Sequence, residues 1–486
     1  MTLFETKWPR GLPVGSGWVA VPEEDILFPF NGEVVAKAPV GDAALATRAI
    51  DAALAVRQEV ARLPSRTRRQ WLRAAATAIE LHREEFEHLL VLETGKPLRD
   101  CKVEVARALV TIETSADEVA RIHGETVPLD LLPSGDGMIG FWQRKPIGVV
   151  VGITGFNYPL LLAAHKVAPA IAAGCPIVVK TAPSTPLATL WFVHILRECA
   201  RQVGAPSETV QLVTGDASVG QALTTDPRIG IVSFTGSSNV GHQIAKAAAP
   251  RRVVLELGSN AALIVADDAD LPAAVSATVR GGYYASGQAC IAIQRVLVVE
   301  SVADAYVQQL TEAMKHVVVG DPRQPETQVA ALINSASTSR VMSWISEAVT
   351  AGAKRIIGGK QSGSCIEPTV LLDVPTNVDI WCEEVFGPVV CIRRVANVSA
   401  ALEAVNASRF GLQASIFTAS MATAFRAINE LEVGGVVVNE VPGFRGDAMP
   451  YGGVKDSGSG REGPRFAIDE FTVTRMAIIR PALGGA

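Results

Sequence analysis

Between residues 147 and 265 the chain repeats one pattern, in which a short apolar run is followed by a loop and a helical segment. The apolar runs are rich in β-branched residues and lie at 147–153, 176–180, 209–213, 231–234 and 253–257. Short apolar strands that alternate with helices are typical of a parallel sheet covered on both faces. The pattern therefore predicts an α/β fold with a Rossmann-like, nucleotide-binding sheet in this part of the chain.

A second alternation of apolar runs and helical segments extends from about residue 261 to 440. Its predicted strands lie at 262–265, 294–299, 389–393, 415–418 and 435–438. The two alternating blocks meet near residues 256–260, and ligand sites are common where such units adjoin. We therefore expect a cleft at this boundary.

The segment before the first block, residues 42–122, is rich in alanine and has apolar residues at helical spacing. This spacing predicts a shell of amphipathic helices. Asp42 and Ser65 are the expected N-caps, and Gly95 followed by Pro97 predicts a break between two helices.

Two flanking segments predict additional strands outside the main sheets. Residues 127–144 contain two short extended runs around a turn at 133–137, which predicts a β-hairpin. Residues 471–479 predict a further strand near the C-terminus. Exposed strand edges need a partner, so we expect both segments to make subunit contacts.

Composition excludes several classes of function. At 486 residues, the chain is long enough for two or three domains. Its 44 Lys and Arg against 49 Asp and Glu, with 6% aromatic residues, do not favour a nucleic-acid partner. The seven cysteines are widely spaced and lack metal-ligand spacing, which predicts a reducing cytosol and no bound metal.

The most apolar stretch, residues 149–173, raises the possibility of a membrane span. It carries Asn157, His165, Lys166 and two prolines, which a lipid-facing helix tolerates poorly. A buried strand followed by a buried helix is therefore the expectation. The first 18 residues lack an apolar core of signal-peptide length, so no export signal is predicted.

Cys290 and Glu256 are the main candidates for chemistry. A thiol is a strong nucleophile near neutral pH, and a carboxylate can activate water, so the pair can supply both halves of an acyl-enzyme cycle. Taken singly, each residue has an ordinary alternative. Free cysteines are commonly buried structural residues, and a lone glutamate is usually exposed or paired.

Three loop motifs follow predicted strands of the first block. Asn157 can donate to a developing oxyanion or serve as a turn residue. The glycines of the loop 234–241 can admit a phosphate to a helix N-terminus, although the segment is not a G-x-G-x-x-G fingerprint. Lys180 ends a strand where parallel sheets bind ligands, and a solvated strand end is its alternative.

Six motifs occur together in one order along nearly the whole chain. They are Phe-Asn-Tyr-Pro (156–159), Phe-Thr-Gly-Ser (234–237), Leu-Glu-Leu-Gly (255–258), Gly-Gln-x-Cys (287–290), Glu-Glu-Val-Phe-Gly-Pro (383–388) and Pro-Tyr-Gly-Gly-Val-Lys-Asp-Ser-Gly-Ser-Gly-Arg-Glu (450–462). This set resembles the aldehyde dehydrogenase superfamily. The segment 441–451 is similar to the subgroup of phosphonoacetaldehyde, lactaldehyde and non-phosphorylating glyceraldehyde-phosphate dehydrogenases.

The resemblance implies oxidation of an aldehyde to a carboxylic acid with NAD or NADP, through a cysteine thiohemiacetal and a thioester. It assigns Cys290 as nucleophile and Glu256 as general base, with Asn157 and the Cys290 backbone N–H as the oxyanion hole. Lys166 matches a lysine on the proton route near the base. No metal is implied.

The resemblance also implies a set of cofactor contacts. These are Ile153, Thr154, Gly155, Phe156, Lys180, Ala182, Pro183, Gly215, Gly220, Phe234, Thr235, Gly236, Ser237, Val240, Leu257, Gly258, Glu384 and Phe386. Pro183 departs from the pattern, because many NAD-preferring members have a glutamate there that holds the adenosine ribose. Without that glutamate, no carboxylate repels the 2′-phosphate of NADP, so NADP becomes possible. The sequence shows no new arginine to bind this phosphate, so both cofactors remain open.

The substrate class is less defined. Arg107 and Arg445 match arginines that grip anionic tails in related members, and a guanidinium suits phosphonate, sulfonate or carboxylate. A third arginine of those members is replaced by Ala289, so a small hydroxyaldehyde or a singly charged tail is as consistent as a phosphate. Alternatively, Arg107 pairs with Glu104 or Glu113 along its helix. The other implied substrate contacts are Tyr158, His165 and Ile291.

The expected architecture has three parts, and the protein is expected to be a homodimer or homotetramer in the cytoplasm. Residues 1–123 and 147–258 form an NAD(P)-binding domain, 259–458 a catalytic domain, and 124–146 with 471–486 a small β oligomerisation extension. A CoA-acylating aldehyde dehydrogenase is one rival, although such members usually lack a carboxylate like Glu256. A non-catalytic structural or ligand-binding relative is the other.

Overall fold

The computed structural model describes residues 2–481, and it contains helices and strands along most of that range. The helices are α1 Ala43–Arg62, α2 Ser65–Leu81, α3 Arg83–Thr94, α4 Leu98–Glu118, α5 Pro159–Ala173, α6 Leu187–Gln202, α7 Ala217–Thr225, α8 Ser238–Ala248, α9 Leu271–Tyr283, α10 Glu300–Met314, α11 Ser335–Thr350, α12 Asp379–Cys382, α13 Val398–Asn406, α14 Met421–Glu430 and α15 Pro464–Glu470. The first 15 strands are β1 Glu23–Leu27, β2 Val34–Pro39, β3 Glu125–Thr126, β4 Ile139–Pro146, β5 Val150–Ile153, β6 Ile177–Lys180, β7 Val210–Val213, β8 Ile231–Thr235, β9 Arg252–Glu256, β10 Ala262–Val265, β11 Arg295–Val299, β12 Lys354–Ile357, β13 Gln361–Ser362, β14 Cys365–Ile366 and β15 Thr369–Leu372. The remaining strands are β16 Val389–Val395, β17 Phe410–Gly411, β18 Gln413–Phe417, β19 Gly435–Val438, β20 Val454–Lys455, β21 Gly458–Ser459 and β22 Thr472–Ile479.

Two large sheets organise the molecule. The first has six strands in the order β21-β9-β8-β5-β6-β7, parallel except for the short β21. The second has seven strands in the order β12-β15-β16-β11-β10-β18-β19, parallel except for β12. This arrangement confirms the predicted α/β fold with a Rossmann-like sheet.

The second sheet is covered on both faces, as its sequence predicts. Successive side chains of a strand point to opposite faces. In β10, Ala262 and Ile264 belong to one apolar core, whereas Leu263 and Val265 belong to another. The near-continuous apolar run of this strand therefore follows from burial on two sides rather than one.

The apolar stretch at 149–173 forms β5 and α5, and every residue of both elements is buried. The first turn of α5 leaves backbone N–H groups without helical acceptors. Glu104 Oε1 accepts from the backbone N–H of Leu160 at 3.0 Å and of Leu161 at 3.2 Å. Lys96 forms a buried ion pair with Glu104. Within the described range, no helix is both long and apolar enough to cross a membrane.

The helical shell confirms most of the predicted boundaries but corrects one cap. Asp42 caps α1, since its side chain accepts from the Leu45 N–H, and Gly95 ends α3 in the left-handed conformation at φ 71°. Ser65 is not an N-cap. It is the first residue of α2 and Pro64 occupies the cap position, while the Ser65 hydroxyl accepts from Arg68.

The predicted hairpin is present with a shorter first strand. β3 covers only Glu125–Thr126 and pairs antiparallel with β4, so residues 127–132 are not the strand that the sequence predicts. Pro128 lacks an N–H and cannot extend the ladder beyond that point. β22 pairs with the whole of β4 to complete a three-stranded sheet, while residues 482–486 of the predicted C-terminal segment lie outside the described residues.

Strand ends in the first block also differ by a few residues from the prediction. The strand predicted at 147–153 begins only at Val150, because Gly148 adopts φ 129° and the Ile147 N–H bonds to Phe471 rather than to the sheet. In the second block, by contrast, the predicted strands at 262–265 and 435–438 have the same bounds as β10 and β19.

The loop before Cys290 has an unusual backbone. Ala285, Ser286 and Gly287 all have positive φ, at 49°, 57° and 74°. A Cβ on Gly287 would lie 2.1 Å from the carbonyl oxygen of Gly387, whereas a Cβ on Gly204, at φ 72°, would meet no atom within 4 Å. The two glycines share the same backbone requirement but differ in their surroundings.

This contrast gives a paired prediction about stability. Gly204→Ala should lower the free energy of unfolding by about 1 kcal/mol, the usual cost of a left-handed alanine. Gly287→Ala should lower it by about 3 kcal/mol or more, because the methyl group also displaces backbone. Chemical denaturation of both variants measures the difference. An equal decrease in the free energy of unfolding for both variants would show that the backbone around Gly287 adjusts to the added methyl group without strain.

Candidate active site

A cavity of about 320 Å³ lies where the two blocks meet, at the carboxyl ends of β5, β8 and β9. In the register of the parallel strands, Thr235 is the neighbour of Glu256 and Phe234 is the neighbour of Ile153. The cavity is lined by Arg107, Gly155, Phe156, Asn157, Tyr158, Leu161, Leu162, His165, Thr235, Gly236, Ser237, Glu256, Leu257, Gly258, Tyr284, Ala289, Cys290, Ile291, Glu384, Phe386, Gly443, Arg445, Tyr451 and Glu462.

Cys290 is partly exposed in this cavity rather than sealed in a core. Its loop is anchored on both sides: Asp100 accepts from the Ala285 N–H at 2.8 Å, and the Gln288 side chain accepts from the Ile333 N–H at 2.9 Å. Burial by the surrounding walls raises the pKa of the Cys290 thiol to about 12, although the contact with Tyr451 at 3.4 Å acts in the opposite direction.

Asn157 follows β5 and lies against the nucleophile loop. Its Nδ2 donates to the backbone carbonyl of Gln288 at 2.9 Å, two residues before Cys290. An amide nitrogen has two hydrogens, so one stays available for another acceptor. This hydrogen bond fixes the Asn157 side chain beside Cys290. A residue that served only to form a turn would not need such a contact.

Glu256 ends β9 and is 4% exposed. Neither of its carboxyl oxygens has a hydrogen-bond partner among residues 2–481. Burial, together with the nearby charge of Glu462, raises the pKa of Glu256 well above its usual range. A buried carboxyl without partners at a cavity wall is unusual for a structural residue and suits a group that acts on a ligand or on water.

Lys166, on α5, is buried and does not line the cavity. Its Nζ donates to Glu462 at 3.0 Å, to Thr235 at 2.8 Å and to Ser233 at 3.1 Å. Burial alone would raise the pKa of Glu462, but the positive charges of Lys166 and Arg445 and the hydrogen bond from Lys166 outweigh it and lower the pKa to about 2. Glu462 is therefore an anion near pH 7, and its charge adds to burial in raising the pKa of Glu256.

Arg107 and Arg445 both reach the cavity, and each is held by a carboxylate. Arg107 binds Asp447 through two hydrogen bonds, with Nε–Oδ2 at 3.0 Å and Nη2–Oδ1 at 2.8 Å. It does not pair with Glu104 or Glu113; Glu104 is bound by Lys96 instead. Arg445 donates to Glu462 at 3.3 Å and stacks over the Tyr451 ring at 3.7 Å.

His165 is buried between the two carboxylates. Its Nε2 lies 3.2 Å from Asp447 and its Nδ1 3.4 Å from Glu462. Burial and the charge of Arg445 lower the pKa of His165 to about 4, despite the two carboxylates. The imidazole is therefore neutral near pH 7 and can donate one hydrogen bond to Asp447.

The opposite side of the cavity has features that suit a dinucleotide. Ser237, the N-cap of α8, lines the cavity and makes no side-chain cap hydrogen bond within the described chain. Its side chain therefore leaves the N–H groups of the first helical turn to another acceptor, such as a phosphate. Gly258 has no side chain, and a Cβ at this position would lie 2.6 Å from a carboxyl oxygen of Glu384. The glycine therefore keeps the space beside Glu384 open. Burial raises the pKa of Glu384 to about 7.

Lys180 is buried at the end of β6 rather than solvated. Its Nζ donates to the carbonyls of Gly215 at 2.9 Å and Thr181 at 3.2 Å. Pro183 and Gly215 line a second pocket of about 300 Å³, and a Cβ on Gly220 would lie 3.7 Å from the Lys180 side chain. Lys180, Pro183, Gly215 and Gly220 thus lie together near the first cavity but outside its walls.

Residues 18–477 match the aldehyde dehydrogenase family. The chain belongs to this family. A 3-sulfolactaldehyde dehydrogenase from Priestia aryabhattai is 40% identical over 84% of this chain and 85% of its own length. A lactaldehyde dehydrogenase from Methanococcus aeolicus is 34% identical over 96% of this chain and 99% of its own.

Solved aldehyde dehydrogenase structures have the same fold. Aldehyde dehydrogenase 21 from Physcomitrella patens, in complex with the reaction product succinate, has a TM-score of 0.94 and 35% identity, covering 98% of this chain and 99% of that one. The glyceraldehyde-3-phosphate dehydrogenase GapN from Methanocaldococcus jannaschii, complexed with NADP, has a TM-score of 0.91 and 34% identity, covering 94% and 99%. The resemblance inferred from the six motifs is thereby confirmed, and the protein oxidises an aldehyde.

The site of this aldehyde dehydrogenase gathers 18 of the residues singled out from the sequence. Those outside the cavity walls are Ile153, Thr154, Lys166, Lys180, Ala182, Pro183, Gly215, Gly220, Phe234 and Val240. Ile153 ends β5, Phe234 lies one residue before the end of β8, and both are buried. Val240 is 43% exposed on α8.

Sequence reasoning missed four polar residues of the site: Asp447, Glu462, Tyr451 and Tyr284. Glu462 and Tyr451 lie inside the matched segment 450–462, but the segment alone assigns them no task. Asp447 follows Arg445 by two residues, which is a possible signal of an ion pair. The pairing of Asp447 with Arg107, 340 residues away, becomes visible only in the folded chain.

Proposed function

We propose that the protein oxidises a small polar or anionic aldehyde to its carboxylic acid with NAD⁺ or NADP⁺, through a thioester on Cys290. One observation carries this proposal: Cys290, Glu256 and Asn157 line the same cavity between the two sheets. These residues supply a nucleophile, a base and an oxyanion donor in one place.

The first half of the reaction takes place on Cys290. The partly exposed Cys290 thiol first gives its proton to solvent. The thiolate then attacks the aldehyde carbon, and the new C–S bond places negative charge on the former carbonyl oxygen. Asn157 Nδ2 and the Cys290 backbone N–H would donate to that oxygen, and such donors are worth about 3 kcal/mol each. A nicotinamide held in the cavity would supply the hydride acceptor that oxidation of the adduct to the thioester requires.

Glu256 acts in the second half. It takes a proton from a water molecule as that water attacks the thioester carbonyl, the C–S bond breaks, and the acid leaves with the thiol restored. Its raised pKa suits this task, because a base works best with a pKa near the operating pH. Retention of this carboxylate also favours hydrolysis over the transfer of the acyl group to CoA.

The residues that would hold the cofactor fit a dinucleotide. The N-terminus of α8 and the loop glycines would hold the pyrophosphate, and Lys180, which donates to the Gly215 carbonyl, would hold the adenosine. Pro183 offers no hydrogen bond to a ribose hydroxyl and no charge against a 2′-phosphate. The proposal therefore includes both NAD and NADP.

The substrate proposal rests on Arg107 and Arg445 at one wall of the cavity. A relative acts on 3-sulfolactaldehyde, another on lactaldehyde, and a similar structure holds succinate as its product. These are small, polar or anionic compounds, consistent with two guanidinium groups beside a narrow site.

We further propose a homodimer or homotetramer in the cytosol, with 1–123 and 147–258 as the cofactor domain and 259–458 as the catalytic domain. The three-stranded sheet β22-β4-β3 supports a subunit contact in 124–146 and 471–486. The sheet exposes Ile139, Ile478 and Ile479, and the segment between β3 and β4 exposes Leu131 and Leu132. Large exposed apolar side chains of this kind favour a protein partner over water.

The roles of Cys290 and Glu256 are tested by rapid kinetics with aldehyde and either cofactor. Cys290→Ala should abolish turnover, whereas Cys199→Ala, in α6, should leave it intact. Glu256→Gln should give a burst of reduced cofactor followed by slow turnover. Burial raises the pKa of Glu256, and the share of its base form grows with pH, so wild-type kcat should rise with pH, a rise that Glu256→Gln should lose.

Absorbance at 340 nm in stopped flow measures both phases. Equal steady-state rates for the wild type and Glu256→Gln would remove the base assignment. Turnover by Cys290→Ala would contradict the covalent route. A wild type inactive with either cofactor across short aldehydes would favour the non-catalytic alternative.

The anionic-tail hypothesis predicts a selective effect of Arg445→Ala. KM for a carboxylate- or sulfonate-bearing aldehyde should rise about tenfold or more, a loss of about 1.4 kcal/mol, whereas KM for a neutral aldehyde should change little. Arg465→Ala, an exposed residue on α15, is the control. Equal increases for charged and neutral aldehydes would count against tail binding by Arg445.

A further inference from the structure

Asp447 is a buried carboxylate beside the substrate wall, the part of the cavity lined by Arg107 and Arg445. Neither half of the proposed reaction uses it. Its side chain is 4% exposed and binds Arg107 through two hydrogen bonds. His165 approaches the same carboxylate at 3.2 Å and Arg445 at 3.9 Å. Asp447 is therefore the point at which both candidate tail-binding arginines meet an anion of the protein itself.

The charges around this wall nearly cancel. Arg107, Arg445 and Lys166 are cations, whereas Asp447 and Glu462 are anions. Burial raises the pKa of the Glu256 carboxyl and lowers that of the His165 imidazole to about 4, so both shifts favour the uncharged form of the group. Three cations against two anions leave a single positive charge for a ligand.

Asp447 also determines which part of Arg107 is available. It occupies the Nε and Nη2 side of the guanidinium, and within residues 2–481 no hydrogen bond involves Nη1. The Arg107 side chain is 23% exposed and lines both the reaction cavity and an adjoining outer pocket of about 490 Å³. The free end of the guanidinium can therefore bind a tail while its other side stays neutralised.

We propose that Asp447 is a specificity-determining residue that restricts the substrate to aldehydes with a singly charged tail, such as a sulfonate or a carboxylate. This assignment rests on the proposed function and deepens it. For a tail with two negative charges, the wall offers only one positive charge that is not already neutralised. Repulsion between the second charge of the tail and the Asp447 carboxylate therefore weakens the binding of that tail. A singly charged tail matches the remaining charge.

Three aldehydes that differ in tail charge test the assignment. They are lactaldehyde, 3-sulfolactaldehyde and the phosphonate with the same skeleton, assayed at a pH at which the phosphonate carries two charges. The variant is Asp447→Asn, which keeps the shape and removes the charge. The matched control is Asp469→Asn, which takes a carboxylate from Arg144 outside the cavity.

In the wild type, kcat/KM should be highest for the sulfonate, with the phosphonate about tenfold or more below it. Asp447→Asn should raise the phosphonate-to-sulfonate ratio of kcat/KM about tenfold, through KM. Asp469→Asn should leave the ratio as in the wild type. A merely structural role would lower kcat/KM for all three aldehydes together.

The possible outcomes separate this assignment from the proposed function. A wild type that oxidises none of the three aldehydes with NAD or NADP overturns both. Oxidation of all three with an unchanged ratio in a folded Asp447→Asn overturns the assignment alone. If Asp447→Asn does not fold, the wild-type series decides, because a phosphonate oxidised as efficiently as the sulfonate contradicts a wall with one free charge.

Discussion

Parallel strands end on the same edge of a sheet, and the site depends on this constraint. β5, β6, β8 and β9 deliver Ile153, Lys180, Thr235 and Glu256 to one edge because their registers are aligned. The second block then supplies the loop that carries Cys290. Residues distant in sequence thus reach one cleft without a dedicated local motif.

Rigidity of the nucleophile loop is the second condition for the chemistry. Three consecutive residues with positive φ turn the chain sharply before Cys290, and the loop is anchored by two hydrogen bonds, in which Asp100 accepts from the Ala285 N–H and the Gln288 side chain accepts from the Ile333 N–H. Strain of this kind persists only where neighbouring structure compensates for it. Asn157 adds a bond to the same loop, so donor and nucleophile are positioned together.

The fold was largely predictable from the sequence, because burial on two faces produces apolar runs that are easy to recognise. Motifs likewise pointed to Cys290, Glu256 and Asn157 as a group. The charge balance of the substrate wall was not predictable, since the partner of Arg107 is 340 residues away. Local spacing favoured Glu104 or Glu113 instead. Glu104 was unavailable because Lys96 and the N-terminus of α5 already use it.

The most direct test of a covalent route through Cys290 is the mass of a trapped intermediate. Glu256→Gln is mixed with 3-sulfolactaldehyde and NAD⁺ or NADP⁺, quenched in acid and digested with trypsin. The peptide 281–295 contains Cys290 as its one cysteine and should carry the acyl group in proportion to the burst of reduced cofactor. An unmodified peptide 281–295 alongside a full burst would contradict the account.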